Sequence, residues 1–217
     1  IWNLARREVD FSPEPGRFIL TGSAVPTADP IRHTGAARFI RVRQRTMTWA
    51  EKGGCLNAGG VSLRALFDGA IPHPSMSAAP LEQIVHGILH PGFPGLLSAP
   101  SDIAARSMES YIKDIATTDL NRLASLRSEP AVVEQLIASL ARSTASEVSQ
   151  ATLRKDMSRT LPAPSEGTTA KLLELLERVF LLETIQPWAV SLRSKARLRR
   201  SSKYHLADPA LAAAALH

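Results

Sequence analysis

Apolar positions along this chain follow two different rhythms. From Ser101 onward they recur at helical spacing: Ile103, Met108, Tyr111, Ile112 and Ile115 form one stripe, and Val132, Val133, Leu136, Ile137 and Leu140 form a second. Ser101 is the expected N-cap of the first. Residues from Pro130 to Phe180 divide into three predicted helices, Ala131–Leu140, Glu147–Met157 and Ser165–Phe180, the last carrying Leu172, Leu173, Leu176 and Val179. Pro162, Pro164 and Gly167 separate or cap them. Extended signals follow at Leu181–Ile185 and Lys203–Leu206, with a turn at Gln186 and Pro187 and a basic stretch between them. Three helices followed by a basic hairpin predict a winged helix. Asp208-Pro209 then opens an Ala-rich helix, with Asp as N-cap and Pro in the first turn.

The first half has a different rhythm. A short helix over Trp2–Val9 and a turn at Pro15-Gly16 lead into Phe18, Ile19 and Leu20, which predict a buried strand. After a loop containing Pro26, Pro30 and Gly35, Phe39–Arg45 is again extended, with Arg41, Arg43 and Arg45 on one face. Helix, strand, loop, strand predicts an α/β sheet. Glycines at 53, 54, 59, 60 and 69 and prolines at 72, 74, 80, 91 and 94 then permit only short helices, at Ser62–Phe67 and Leu81–Leu89. The expected division is an α/β segment over 1–50, a helical connector over 51–129 and a mainly α winged-helix region over 130–217.

Charge sharpens this picture because it is unevenly placed. The formal net charge is +6, yet residues 1–184 hold 20 basic and 19 acidic side chains. The excess lies in Arg193, Lys195, Arg197, Arg199, Arg200 and Lys203, opposed there only by Asp208. Four of these cations alternate along SLRSKARLRRSSK, which on an extended strand aligns them on one face able to track phosphates. The same pattern also suits a solvated edge strand protected against sheet-to-sheet association. In a winged helix the third helix enters the groove, which nominates Thr168, Thr169 and Lys171 as nucleic-acid contacts beside the basic wing. Such a domain can equally serve as a docking surface for an ATPase core or another protein.

Composition excludes little else. With 44% hydrophobic and 21% charged residues the 217-residue chain resembles an ordinary soluble protein, and no apolar run approaches the ~20 residues of a membrane-spanning helix. The single cysteine, Cys55, cannot build a disulfide framework, so a reducing cytoplasm is expected and no membrane partner. The start at Ile-Trp-Asn, already patterned as a helix, reads as a cut. His86 and His90 lie four apart on a predicted helix, but no glutamate between them and no third ligand completes a metal site. Ser23 and His33 lack both a G-x-S-x-G elbow and an orienting acid. Trp49 and Trp188, accompanied by apolar neighbours, read as packing anchors.

Seven strings extend these readings: IWNLARREVD (Ile1–Asp10), GRFILTGSAVP (Gly16–Pro26), RHTGAARFIRVRQRTMTWAE (Arg32–Glu51), VSLRALFDG (Val61–Gly69), GFPG (Gly92–Gly95), LLELLERVFLLETIQPW (Leu172–Trp188) and KYHLADPALAAAAL (Lys203–Leu216). In this order and spacing the chain resembles a bacterial and archaeal family of AAA-superfamily ATPases whose C-terminal half combines a winged helix with a nuclease-like domain of unknown function. The resemblance implies that ILTGS is similar to the sensor strand of the ATPase core, which places Thr21 and Ser23 near a terminal phosphate. Ala37-Arg38 stands where the family has Gly-Arg, so Arg38 joins them as a nucleotide-sensing candidate. ATP and Mg are cofactors of the parent family. This sequence holds no Gly-Lys, hence no phosphate-binding loop. The family's Walker B acids fall before Ile1 and its nuclease-like acids after His217, so no catalytic residue is expected here. The resulting expectation is an α/β remnant of an ATPase core followed by a mainly α winged-helix domain. It would act as the sensing and docking part of an ATP-dependent switch, inactive as an ATPase alone. The alternatives are a stand-alone DNA-binding regulator and a truncated remnant without function.

Overall fold

The computed structural model describes residues 2–12, 14–23, 38–53, 62–71, 80–120, 129–188 and 201–216. Within them lie α1 (Trp2–Phe11), α2 (Leu63–Phe67), α3 (Leu81–Leu89), a short 3-10 turn (Pro94–Leu96) and α4 (Ser101–Asp114). A wider π turn (Ile115–Asp119) extends α4, and α5 (Pro130–Arg142), α6 (Gln150–Met157), α7 (Glu166–Arg178), β1 (Leu182–Ile185), β2 (Lys203–Leu206) and α8 (Pro209–Leu216) follow. The described residues are mainly helical, with one small two-stranded sheet among them. Among the described residues no helix is long and apolar enough to cross a membrane.

The core is built where the helical stripes meet. Val133, Leu136, Ile137 and Leu140 on α5 are buried, as are Leu153 and Met157 on α6 and Leu172, Leu173, Leu175 and Leu176 on α7. Met108 and Ile112 on α4 and Ile115 in the π turn close one side, and Leu211 closes another from α8. Each side chain of this size stabilises the fold by about 1.5–3 kcal/mol when fully buried, which is why the stripes, rather than helix propensity, hold the segments helical. Helices α6 and α7 start where side chains satisfy their first N–H groups, whereas α4 starts at Ser101 itself after Pro100 with no side-chain cap, so Ser101 is not the N-cap expected. Ser149 Oγ accepts from Thr152 N at 3.1 Å, and Ser165 Oγ accepts from Thr168 N at 3.2 Å. The second predicted helix accordingly starts three residues later than expected, because Glu147 is instead paired with Lys203 as an isolated antiparallel bridge.

β1 and β2 pair antiparallel in the register Leu182 with Leu206 through Ile185 with Lys203. Burial follows the core side: Leu182 and Leu206 are buried, Glu183 is half-buried, and the paired Ile185 and Lys203 are exposed. Together with the Glu147–Lys203 bridge, β2 therefore has a neighbour on each side. Phe180, just before β1, has φ +60°, a left-handed turn uncommon for an aromatic residue.

The first half departs from expectation. Phe18–Leu20 forms no strand and is exposed, Ile19 at 88%, and residues 38–46 carry no regular secondary structure. No strand precedes β1 among the described residues. Three consecutive apolar residues satisfy a strand pattern, but a strand needs partner backbone, and among the described residues none pairs with this one. The α/β sheet expected for residues 1–50 is thus absent from the described residues.

Candidate nucleic-acid interface

The third helix of the trio, α7, begins at the Ser165 cap and presents its N-terminal turn at the surface. Thr168 is half-buried, its hydroxyl 2.9 Å from Ser165 Oγ. Thr169 is fully buried and its hydroxyl donates to the Ser165 carbonyl oxygen at 2.9 Å, so of the two threonines only Thr168 reaches the surface. This follows from helical spacing: Thr169 shares the inward face with Leu172, Leu173 and Leu176. Lys171 is partly exposed and paired with Glu174 at 2.9 Å. Arg178, at the C-terminal end, turns one buried Nη inward without a hydrogen-bond partner. With Glu166, Glu174 and Glu177 on the same helix, α7 carries more acid than base.

The hairpin holds the other candidates. Lys203, the first residue of β2, is exposed. Arg193, Lys195, Arg197, Arg199 and Arg200 lie outside the described residues, as do Cys55 and His33. Trp188, expected as a packing anchor, is instead 77% exposed, three residues beyond the end of β1 at Ile185. Trp49 does pack: its ring occupies the space where a Cβ on Gly87 would lie, 2.8 Å away. At the hairpin root, Glu177 accepts a hydrogen bond from the Thr184 hydroxyl. Burial, with the charge of Glu177 adding to it, pushes the Tyr204 phenol up from its ordinary value.

The nucleotide-sensing candidates do not converge. Thr21 and Ser23 are exposed, and Arg38 forms an ion pair with Asp10 of α1. Beyond them, sequence reasoning missed a set of contacts that join the chain's first half to the helical domain. Arg43 donates to the carbonyl oxygens of Phe180 and Leu182 at 3.3 and 3.2 Å, and its guanidinium lies over the Phe180 ring. Arg45 pairs with Glu183 at 2.7 Å, and the Thr46 hydroxyl donates to the Ala207 carbonyl at 3.0 Å. Met47 N donates to the Gly92 carbonyl at 2.7 Å, while Gly92 N donates to the buried carboxylate of Asp208 at 2.8 Å. Lys52 Nζ donates to the carbonyls of Gly87 and His90 at the end of α3. The arginine alternation at 41, 43 and 45 was the one local signal, and it pointed to a face without showing what the face meets.

The His86 and His90 rings stack with centroids 5.1 Å apart, and His90 Nε2 lies 3.0 Å from the Leu96 carbonyl oxygen. That contact uses one of the two nitrogens a metal could take. Among the described residues no three His, Cys, Asp or Glu side chains come together as a metal-binding group.

Residues 81–217 match a protein family described as a domain of unknown function, DUF8612. No curated protein and no solved structure matches the chain.

Proposed function

This chain belongs to the DUF8612 family, and we propose that it is the docking half of an ATP-dependent switch, in which residues 130–206 act as a winged helix that binds nucleic acid mainly through its hairpin. The observation that carries the winged-helix reading is the order of elements. Helix α5, the extended pair at Glu147, helices α6 and α7, and the β1–β2 hairpin succeed one another as in that fold, with Glu147 bridged to Lys203 as a third strand position. The nucleic-acid reading rests on six cations gathered between Arg193 and Lys203, in and beside the connection of that hairpin. The switch reading rests on the resemblance of residues 1–50 to an AAA-type core, with Thr21, Ser23 and Arg38 as nucleotide-sensing candidates. ATP and Mg then belong to the parent assembly, since this sequence contains no phosphate-binding loop.

A salt-dependent titration of duplex DNA tests the interface. Each phosphate contact contributes a slope of about −0.9 in log affinity against log salt, so four or five contacts from the basic hairpin give a slope near −4. Replacing Arg199 and Arg200 together by Ala should weaken binding to every duplex and flatten the slope by roughly two. Absence of binding at low salt, or an unchanged slope in the double variant, refutes nucleic-acid docking.

A second reading has its own support in α7. Its only free-facing lysine is held by Glu174, and its remaining charged groups are mostly acidic, which disfavours insertion into a phosphate-lined groove. The same helix suits a protein surface, and DNA titrations that fail as above favour docking on an ATPase core.

A further inference from the structure

We infer that residues 43–52 are a releasable strap, fastened at the root of the hairpin, through which the first part of the chain sets the hairpin's position. The inference deepens the switch reading, on which its functional meaning rests; the strap itself stands on geometry alone.

The fastenings are polar and concentrate where the hairpin leaves the helical core. Arg43 is the central one. Its guanidinium reaches the carbonyl oxygens of Phe180 and Leu182, which flank the turn from α7 into β1, and lies 5.3 Å from the Phe180 ring centroid. The left-handed backbone at Phe180 is a conformation that persists only when its surroundings fix it. Arg43 supplies such a fixing contact from a segment 137 residues away in sequence. Arg45 adds the ion pair to Glu183 in β1, and Thr46 bonds the Ala207 carbonyl just after β2. Both strands of the hairpin are therefore held at their core ends by one stretch of four residues. The stretch closes over a small pocket lined by Phe93, Tyr111, Phe180, Leu181 and Leu211.

Two features distinguish a strap from part of the core. On its N-terminal side Ile40 and Val42 are 94% and 86% exposed and Phe39 is half-buried, so the two apolar residues nearest Arg43 stay outside the core. The hairpin-side attachments are hydrogen bonds and ion pairs from partly exposed side chains, individually modest beside the burial of the core side chains, so their loss loosens the hairpin root without unfolding the helices. At the far end the strap is held more firmly, by the Met47–Gly92 bond, the Trp49 ring over Gly87 and Lys52 on the carbonyls of Gly87 and His90. A tether fixed at 47–52 and loosely fastened at 43–46 can release the hairpin root without leaving the domain. Movement of the chain before residue 43 then reaches the hairpin directly.

The test is hydrogen exchange on the full chain carrying Arg43→Ala, Arg43→Lys or Glu183→Gln. Arg43→Ala should raise exchange of the β1 and β2 amides by about tenfold or more while α5 and α7 keep their protection. Arg43→Lys, which can bond one carbonyl at a time and stacks less well, should fall between. Glu183→Gln, which removes the carboxylate charge 2.7 Å from Arg45 and 3.6 Å from Arg43 and leaves the carbonyl bonds, should give a smaller increase confined to β1. If β1 and β2 exchange as in the parent chain, Arg43 does not hold the hairpin and the inference fails. If Arg43→Ala strips protection from α5 as well, residues 43–46 belong to the core and the segment is not releasable. These outcomes require no nucleic acid or ATP. The DNA titration can therefore fail while the strap stands, and the strap can fail while the titration succeeds.

Discussion

Replacing Gly92 by Ala should destabilise the domain by about 2–3 kcal/mol, and the reason is a three-way backbone junction. A Cβ at Gly92 would lie 2.4 Å from the Met47 carbonyl oxygen, 2.9 Å from Met47 N and 3.1 Å from Asp208 Oδ2. The first two are backbone atoms that cannot swing aside, so the strap must shift by about 1 Å to restore ordinary contact. That shift stretches the Met47 N to Gly92 O bond of 2.7 Å and disturbs the buried bond of 2.8 Å from Gly92 N to Asp208. A neutral hydrogen bond contributes about 1 kcal/mol net and one to a charged group about 1.5–3 kcal/mol, while Ala in place of Gly stiffens the unfolded chain and returns about 0.4–1 kcal/mol. At roughly 2–4 °C per kcal/mol for a chain of this size, the melting temperature should fall by about 4–12 °C. Gly95, in the same GFPG tetrapeptide, is the internal control, because a Cβ there meets nothing within 4 Å. Thermal unfolding followed by far-ultraviolet circular dichroism compares the two. Equal melting temperatures for Gly92→Ala and Gly95→Ala would refute the junction, since both substitutions change the unfolded chain alike.

Three further outcomes are expected. Burial raises the pKa of Asp156, but hydrogen bonds from Arg142 and Ser139 and the charges of Arg142 and Arg159 outweigh it and hold the carboxyl below its usual value. Its contribution to stability is therefore present above the unfolded value of about 3.9 and lost as pH falls through the lower folded value; Asp156→Asn should flatten the pH dependence of urea unfolding in that acid window, and an unchanged profile would count against the pair. Ser165→Ala should cost about 1 kcal/mol by uncapping α7, and Thr169→Val about 1 kcal/mol through its lost bond to Ser165; a Thr169→Val variant with parental stability and altered DNA preference would return Thr169 to the interface. Amides of Phe18–Leu20, exposed and without strand partners among the described residues, should exchange far faster than those of α7, and comparable protection would mean that the first segment is part of a sheet.

What the sequence made legible was what neighbouring residues decide among themselves. The stripe at Val132 through Leu140 placed α5 to within two residues, the helix expected over Ser62–Phe67 starts one residue later with Ser62 as its cap, and Leu81–Leu89 and Lys203–Leu206 appear with the predicted bounds. Asp208-Pro209 opens α8 as read, with Asp208 Oδ1 accepting from Ala210 N at 2.9 Å. These signals are local: a repeat of 3.6, a cap, a proline. The strand readings at Phe18–Leu20 and Phe39–Arg45 failed for the opposite reason, since apolar and β-branched residues mark a segment that fits a sheet without supplying the partner strand. Thr169 shows the same limit within a helix. It is four residues after the Ser165 cap, a position that presents a side chain outward or inward according to what the neighbouring helices leave open, and here it falls inside. The contacts of Arg43, Arg45, Thr46 and Asp208 span 116 to 161 residues, so no window of sequence contains both partners. The contacts of Arg43, Arg45 and Thr46, and the bond from Met47 N to the Gly92 carbonyl, have one partner before the region matched to the family and one inside it, which gives the helical domain a structural boundary near Arg43 rather than at Leu81. A fragment beginning at Leu81 would leave the Phe180 and Leu182 carbonyls without their guanidinium and Asp208 beside an unpinned Gly92 loop. It is the residues before the family match that complete the hairpin root.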